Sequence, residues 1–153
     1  IKLGLVPFGR IVDAAESCPT LTFNTIGRHQ SSIVRTRVCS NLSPWLAETE
    51  PGDVYSVPIS HGEGRFIAPE AVIRSLAERG QVATQYVDLN GAPSMDTAFN
   101  PNGSLYAIEG ITSPDGRILG KMGHSERIGP HLYRNVPGQY DMGLFRSAVK
   151  FFK

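Results

Sequence analysis

Cysteine is scarce: only Cys18 and Cys39 occur in 153 residues. Two cysteines make neither a disulfide framework nor a zinc-ligand spacing, which points to a reducing, cytoplasmic setting. An excess of either charge is missing too. The 15 Lys and Arg stand against 14 Asp and Glu, for a net charge of +1. No bulk positive field is therefore available to hold nucleic acid or a membrane surface, and neither is expected as a partner. No apolar run approaches the ~18 residues that span a bilayer. Ile1-Lys2-Leu3-Gly4-Leu5 lacks the apolar stretch and cleavage pattern of a signal peptide. Internal repeats and low-complexity tracts are absent as well. What is present is a globular composition, 41% hydrophobic and 19% charged. That is too apolar for a disordered chain and long enough for one domain with a buried core.

The chain opens on Ile1 rather than Met, and its first nine residues read like the end of a helix running into a turn at Gly4 and Pro7. The expectation is a piece of a longer polypeptide. Leu21-Thr22-Phe23, Ile33 to Val38, Val54 to Ser60 and Val82 to Val87 read as strands. Pro58 lacks a donor, which suggests a sheet edge or a bulge. Pro69 to Arg79 is the clearest helix, with Val72, Ile73, Leu76 and Ala77 on one face and Gly80 just beyond its end. One helix between strands is compatible with a crossover unit. Ala107 to Thr112 and Arg117 to Met122, joined by Ser113-Pro114-Asp115-Gly116, read as a hairpin. A last helix runs from about Met142 to Phe152, with Leu144, Phe145, Ala148, Val149 and Phe152 on one face.

The hairpin's second strand points at Gly123-His124-Ser125-Glu126-Arg127. In an extended segment residues i and i+2 project to one side. Glu126 is thereby placed to hold the His124 imidazole, the base–orienter half of a nucleophile–base–orienter triad. On spacing alone the signal is weak, and a plain surface loop is the bland alternative. His61-Gly62-Glu63-Gly64-Arg65 is the second cluster: glycines allow close backbone approach, and Glu63 or Arg65 suits a zwitterion. A glycine-rich connection with a solvated charge pair is its bland counterpart. A zinc site from His61, His124 and a carboxylate lacks any recognised spacing, and no metal is expected. His29 and His131 sit in polar loops. Neither cysteine suits a nucleophile elbow: Pro19 follows Cys18, and Cys39 lies in or beside a strand. The chain shows two-thirds of a triad and no nucleophile.

These residues resemble a known family. Gly123 to Arg127 is similar to the Pro-His-Pro-Glu-Arg signature of class I glutamine amidotransferases. Ile59 to Arg65, Asn100-Pro101-Asn102-Gly103-Ser104 and Ala107 to Ile111 narrow the resemblance to the C-terminal glutaminase domain of large, single-chain phosphoribosylformylglycinamidine synthases. Pro19 to Thr22 and Ser43 to Leu46 also fit.

The resemblance implies an α/β, flavodoxin-like class I fold with helices on both faces, of which residues 1–153 would be the C-terminal portion, the nucleophile-bearing half being absent. It implies His124 as general base and acid, Glu126 as its orienter, and His61, Gly62, Glu63 and Gly64 around the glutamine. It implies no cofactor in this domain, ATP and Mg in the parent synthetase domain, and that synthetase domain as partner. The parent reaction would supply ammonia from glutamine for ATP-dependent amidination of formylglycinamide ribonucleotide, while this chain alone would be inactive. A non-catalytic docking or regulatory module of amidotransferase-like shape is the alternative, and another hydrolase on a similar fold a third. Ser125 replaces the signature's second proline and is expected to loosen the turn. His29-Gln30-Ser31-Ser32 departs from an Arg-Phe-Glu run, so no role is carried to it. A truncated sheet is expected to leave an open edge and an apolar face beside His124.

Overall fold

The computed structural model describes residues 1–153. Five strands form one sheet in the order β3-β2-β5-β6-β7: β2 (Gln30–Val38), β3 (Val54–His61), β5 (Val82–Tyr86), β6 (Ile108–Thr112) and β7 (Leu119–Lys121). A separate two-stranded ribbon pairs β1 (Thr20–Thr22) with β4 (Arg65–Ile67). Three helices complete the chain: α1 (Leu5–Phe8), α2 (Glu70–Glu78) and α3 (Leu144–Phe152).

Every strand pairing is antiparallel. The crossover suggested by one helix between strands is therefore not what α2 makes. It runs from β4 in the ribbon to β5 in the sheet, two strands that are not neighbours. The strand β4 itself escapes a sequence reading because its three residues follow a glycine-rich loop. At the start of the chain Pro7 lies inside α1, in its first turn, where its missing N–H has no helical partner to lose. Gly4 and Gly9 bracket that short helix with left-handed backbone.

The sheet has a helix on each face. Adjacent residues Val82 and Ala83 point to opposite sides. Val82 joins Ile108, Ile111, Phe66 and the α2 residues Ile73 and Leu76. Ala83 joins Val38, Tyr55, Val57, Leu46, Met142 and the α3 residue Leu144. The buried face of α3 is Leu144, Ser147 and Ala148. Phe145, Val149 and Phe152, expected on that buried face, remain more than half exposed. Ser147 takes the inward place because its hydroxyl accepts the Glu48 backbone N–H at 3.2 Å.

Two segments fold back on the open edge of β3. The Ser56 N–H donates to the Gln139 carbonyl at 2.7 Å, and the His124 N–H donates to the Pro58 carbonyl at 2.8 Å. Within a strand, N and C=O of one residue face the same way, so proline's missing donor also lies on this edge, where no ladder bond is lost. The chain leaving β7, the last strand at the far side of the sheet, thus returns to β3. The sheet is curled, and the region after β7 is pinned to both ends of it. No helix is long and apolar enough to cross a membrane.

Leu76 is fully buried under the sheet. Leu76→Ala is expected to cost about 2–5 kcal/mol, measured as a lower urea midpoint. Arg74→Ala, which breaks only an exposed pair with Glu70, should change stability by about 0.5 kcal/mol or less.

Candidate active site

The hairpin β6–β7 delivers His124 and Glu126. Its register pairs Gly110 with Lys121, Ile111 with Gly120 and Thr112 with Leu119, and Gly116 turns the chain with φ +73°. Beyond Lys121 the chain makes a tight turn, closed by the Arg127 N–H donating to the His124 carbonyl at 3.1 Å. His124 Nδ1 lies 2.7 Å from Glu126 Oε1. An ionised carboxylate only accepts hydrogen bonds, so Nδ1 carries the proton and Nε2 keeps its lone pair as a base. Partial burial pushes the Glu126 carboxyl up, but its own backbone N–H, the His124 ring and Arg127 outweigh this and hold it below the usual carboxylate value. It stays ionised, as an orienter of imidazole must.

Beneath this turn lies a buried ion pair. The Glu109 side chain is fully buried and that of Lys121 nearly so, with Nζ 3.2 Å from Glu109 Oε1. Glu109 Oε1 also accepts the Gly123 N–H at 2.5 Å, and Oε2 accepts the Thr84 hydroxyl at 2.5 Å. Lys121 Nζ donates in addition to the Gly123 carbonyl at 3.2 Å and to Ser125 Oγ at 3.1 Å. Ser125 in turn donates to Met142 Sδ at 3.3 Å. The expectation that Ser125 loosens the turn is thus corrected: its hydroxyl is bolted to Lys121 and Met142. Gly123 has no room for a side chain, since a Cβ there would collide with Val57 and come within 2.9 Å of Glu109 Oε1.

A cavity of about 350 Å³ opens beside the dyad, between Trp45, Leu119, His124, Glu126, Leu144 and Phe145. It lies at the small end of the range for small-molecule sites, about 300–1,000 Å³. Its walls are apolar and its floor is the His124 turn. Trp45 is fixed by its indole N–H donating to the Arg117 carbonyl at 2.9 Å and by edge-on contact with Phe145, ring centres 6.3 Å apart.

The second predicted cluster stands nearby, further along β3, but His61, Gly62, Glu63 and Gly64 do not line this cavity. Asn24 holds that loop: its amide donates to the His61 carbonyl at 2.8 Å, and its oxygen accepts the Gly64 N–H at 3.1 Å. Asn102 donates to the Gly64 carbonyl at 2.6 Å and to the Tyr86 hydroxyl at 2.9 Å. Glu63 is exposed. His61 turns inward against Gly64, both ring nitrogens buried without a hydrogen-bond partner. Burial, with help from the charges of His29 and His124, lowers its pKa against the opposing pull of its own backbone and Glu109.

Both cysteines are free thiols. Cys18 is buried, its thiol toward the Asp13 carbonyl at 3.6 Å. Cys39 lies on the α2 side of the sheet, among Ile73, Val82 and Ile108. Burial pushes its thiol up despite Arg37, the reverse of what activates a nucleophile. No three His, Cys, Asp or Glu side chains converge as a metal site. Sequence reasoning missed Glu109, Lys121, Asn24 and Asn102 as supports. The available signal was Glu109, a charge in the apolar run Ala107 to Ile111.

Residues 1–152 match the model of the CobB/CobQ-like glutamine amidotransferase domain. The chain belongs to that family. Among its relatives is the phosphoribosylformylglycinamidine synthase subunit PurQ of Gloeobacter violaceus, 43% identical over 69% of this chain and 44% of the relative. The subunit of the same name from Symbiobacterium thermophilum is 34% identical over 83% of this chain and 52% of the relative. The chain thus spans about half the length of these relatives. A solved structure of PurLQS from Thermotoga maritima superposes with a TM-score of 0.64 at 25% identity, covering 88% of this chain and 53% of the other. The fold is accordingly the α/β class I glutamine amidotransferase fold, with a curled sheet.

His61 gives this family member a pH-dependent term. Burial holds its folded pKa below the ordinary 6.5. The stability from a neutral His61 is therefore complete above the unfolded value and is lost as pH falls from that value through the lower folded one. Between about pH 7 and pH 5 the wild type should lose more stability than His61→Leu, as read by urea midpoints at each pH. Equal slopes would show that His61 is solvated in the fold.

Proposed function

We propose that this chain is the base-bearing part of a glutaminase that supplies ammonia to phosphoribosylformylglycinamidine synthase. The observation that carries the reading is the 2.7 Å His124–Glu126 hydrogen bond lining a cavity walled by Trp45, Leu119, Leu144 and Phe145, in a chain of the glutamine amidotransferase family. The PurQ relatives support the purine-biosynthetic assignment. In the single-chain form of the enzyme this chain would be the C-terminal portion, acting in the cytoplasm against a synthetase portion that holds ATP and Mg.

Glutamine hydrolysis needs a thiol, a base and water. Neither Cys18 nor Cys39 lines the cavity, which supports the reading that the thiol is supplied from outside residues 1–153 and that these residues alone do not hydrolyse glutamine. The thiolate adds to the carboxamide carbon, and His124 gives a proton to the nitrogen as the C–N bond breaks and ammonia leaves. Nε2 of His124 then takes a proton from water as its oxygen attacks the thioester, and the thiol departs to leave glutamate. Glu126 stabilises the imidazolium that exists before the first of these proton transfers and again after the second. The loop His61 to Gly64, held by Asn24 and Asn102, contributes to glutamine binding, with exposed Glu63 available to the α-amino group.

Glutamate release by the full-length protein tests this. His124→Ala should reduce kcat at least about a thousandfold and Glu126→Gln about a hundredfold or more. Cys18→Ala and Cys39→Ser should leave it unchanged. Activity that survives His124→Ala, or that vanishes with either cysteine, contradicts the reading.

A further inference from the structure

The buried pair Glu109–Lys121 is unexplained by the chemistry above, which needs only His124 and Glu126. A buried ion pair is no gift to stability, since desolvation cancels most of its attraction. Apart from the Thr84 hydroxyl on Glu109, its bonds are local to the catalytic turn. An ammonium has three donors, and Lys121 spends them on Glu109, Gly123 and Ser125. Glu109 holds the Gly123 N–H. The residues before and after His124 are thus fixed from below by one ion pair, while the His124 N–H is fixed from the side by Pro58.

The two tethered positions are those where the Pro-His-Pro-Glu-Arg signature has proline. A proline has no N–H to give Glu109 and no hydroxyl to receive Lys121. We infer that Glu109 and Lys121 are positioning residues for His124 and Glu126, restraining by a buried ion pair a turn that two prolines otherwise restrain through fixed φ. The inference rests on the glutaminase reading. Ser125, the residue between His124 and Glu126, is the coupling point, because its hydroxyl accepts from the ammonium.

The test uses the full-length protein, with glutamate release and thermal unfolding measured side by side. Lys121→Met leaves Glu109 buried and unpaired, so both Tm and kcat fall. Adding Glu109→Ala removes the orphaned charge. Tm then recovers toward wild type, whereas kcat stays about 10- to 100-fold low at unchanged KM, because the turn remains untethered. Introducing Ser125→Pro into that double variant restores φ restraint and raises kcat again. A double variant whose kcat recovers with its Tm, or a Ser125→Pro that brings no recovery, overturns the positioning role. A wild-type protein that releases no glutamate overturns the glutaminase reading beneath it.

Discussion

The Glu109–Lys121 ion pair is the constraint on which the site depends. The Glu109 side chain is fully buried and that of Lys121 nearly so, and both charges persist because each is held by several partners. Thr84, Gly123 and Lys121 satisfy the carboxylate; Glu109, Gly123 and Ser125 satisfy the ammonium. Buried polar networks rigidify when complete. This one is complete, and the segment it rigidifies is the turn that carries His124 and Glu126.

The curl of the sheet makes such a network possible. Hairpin β6–β7 lies at one side and β3 at the other, yet Gly123 abuts Val57 and the His124 N–H reaches the Pro58 carbonyl. A flat sheet would leave those groups far apart. Curled, it closes a floor beneath the turn, and Trp45, Leu144 and Phe145 stand as walls. Catalytic loops on rigid scaffolds depend on this division between a fixed floor and a variable wall.

Local features were legible in the sequence. The i, i+2 spacing foretold that His124 and Glu126 would meet, though the structure brings them together through a tight turn rather than an extended segment. Pro58 pointed to a sheet edge or a bulge, and the structure has the edge. Long-range partners were not legible. Asn24 reaches His61 and Gly64, 37 and 40 residues away, and nothing near Asn24 announces it. Lys121 meets Glu109 only because the hairpin register sets Gly110 opposite Lys121. Ser125 misled for a related cause: judged alone a serine loosens a turn that proline would stiffen, and only its buried partners reverse that. The outward residues of α3 were misassigned because Ser147, polar by type, is buried through its bond to Glu48.

The most direct test of a fixed base is the protonation pattern of the His124 ring, read by ¹⁵N NMR of the selectively labelled full-length protein. With the ring held by Glu126, the neutral imidazole should be a single tautomer, protonated at Nδ1 with Nε2 bare, and its Nδ1 proton should be slow to exchange. A ring averaging between tautomers, or one protonated at Nε2, would contradict a dyad held ready for catalysis by the Glu109–Lys121 floor.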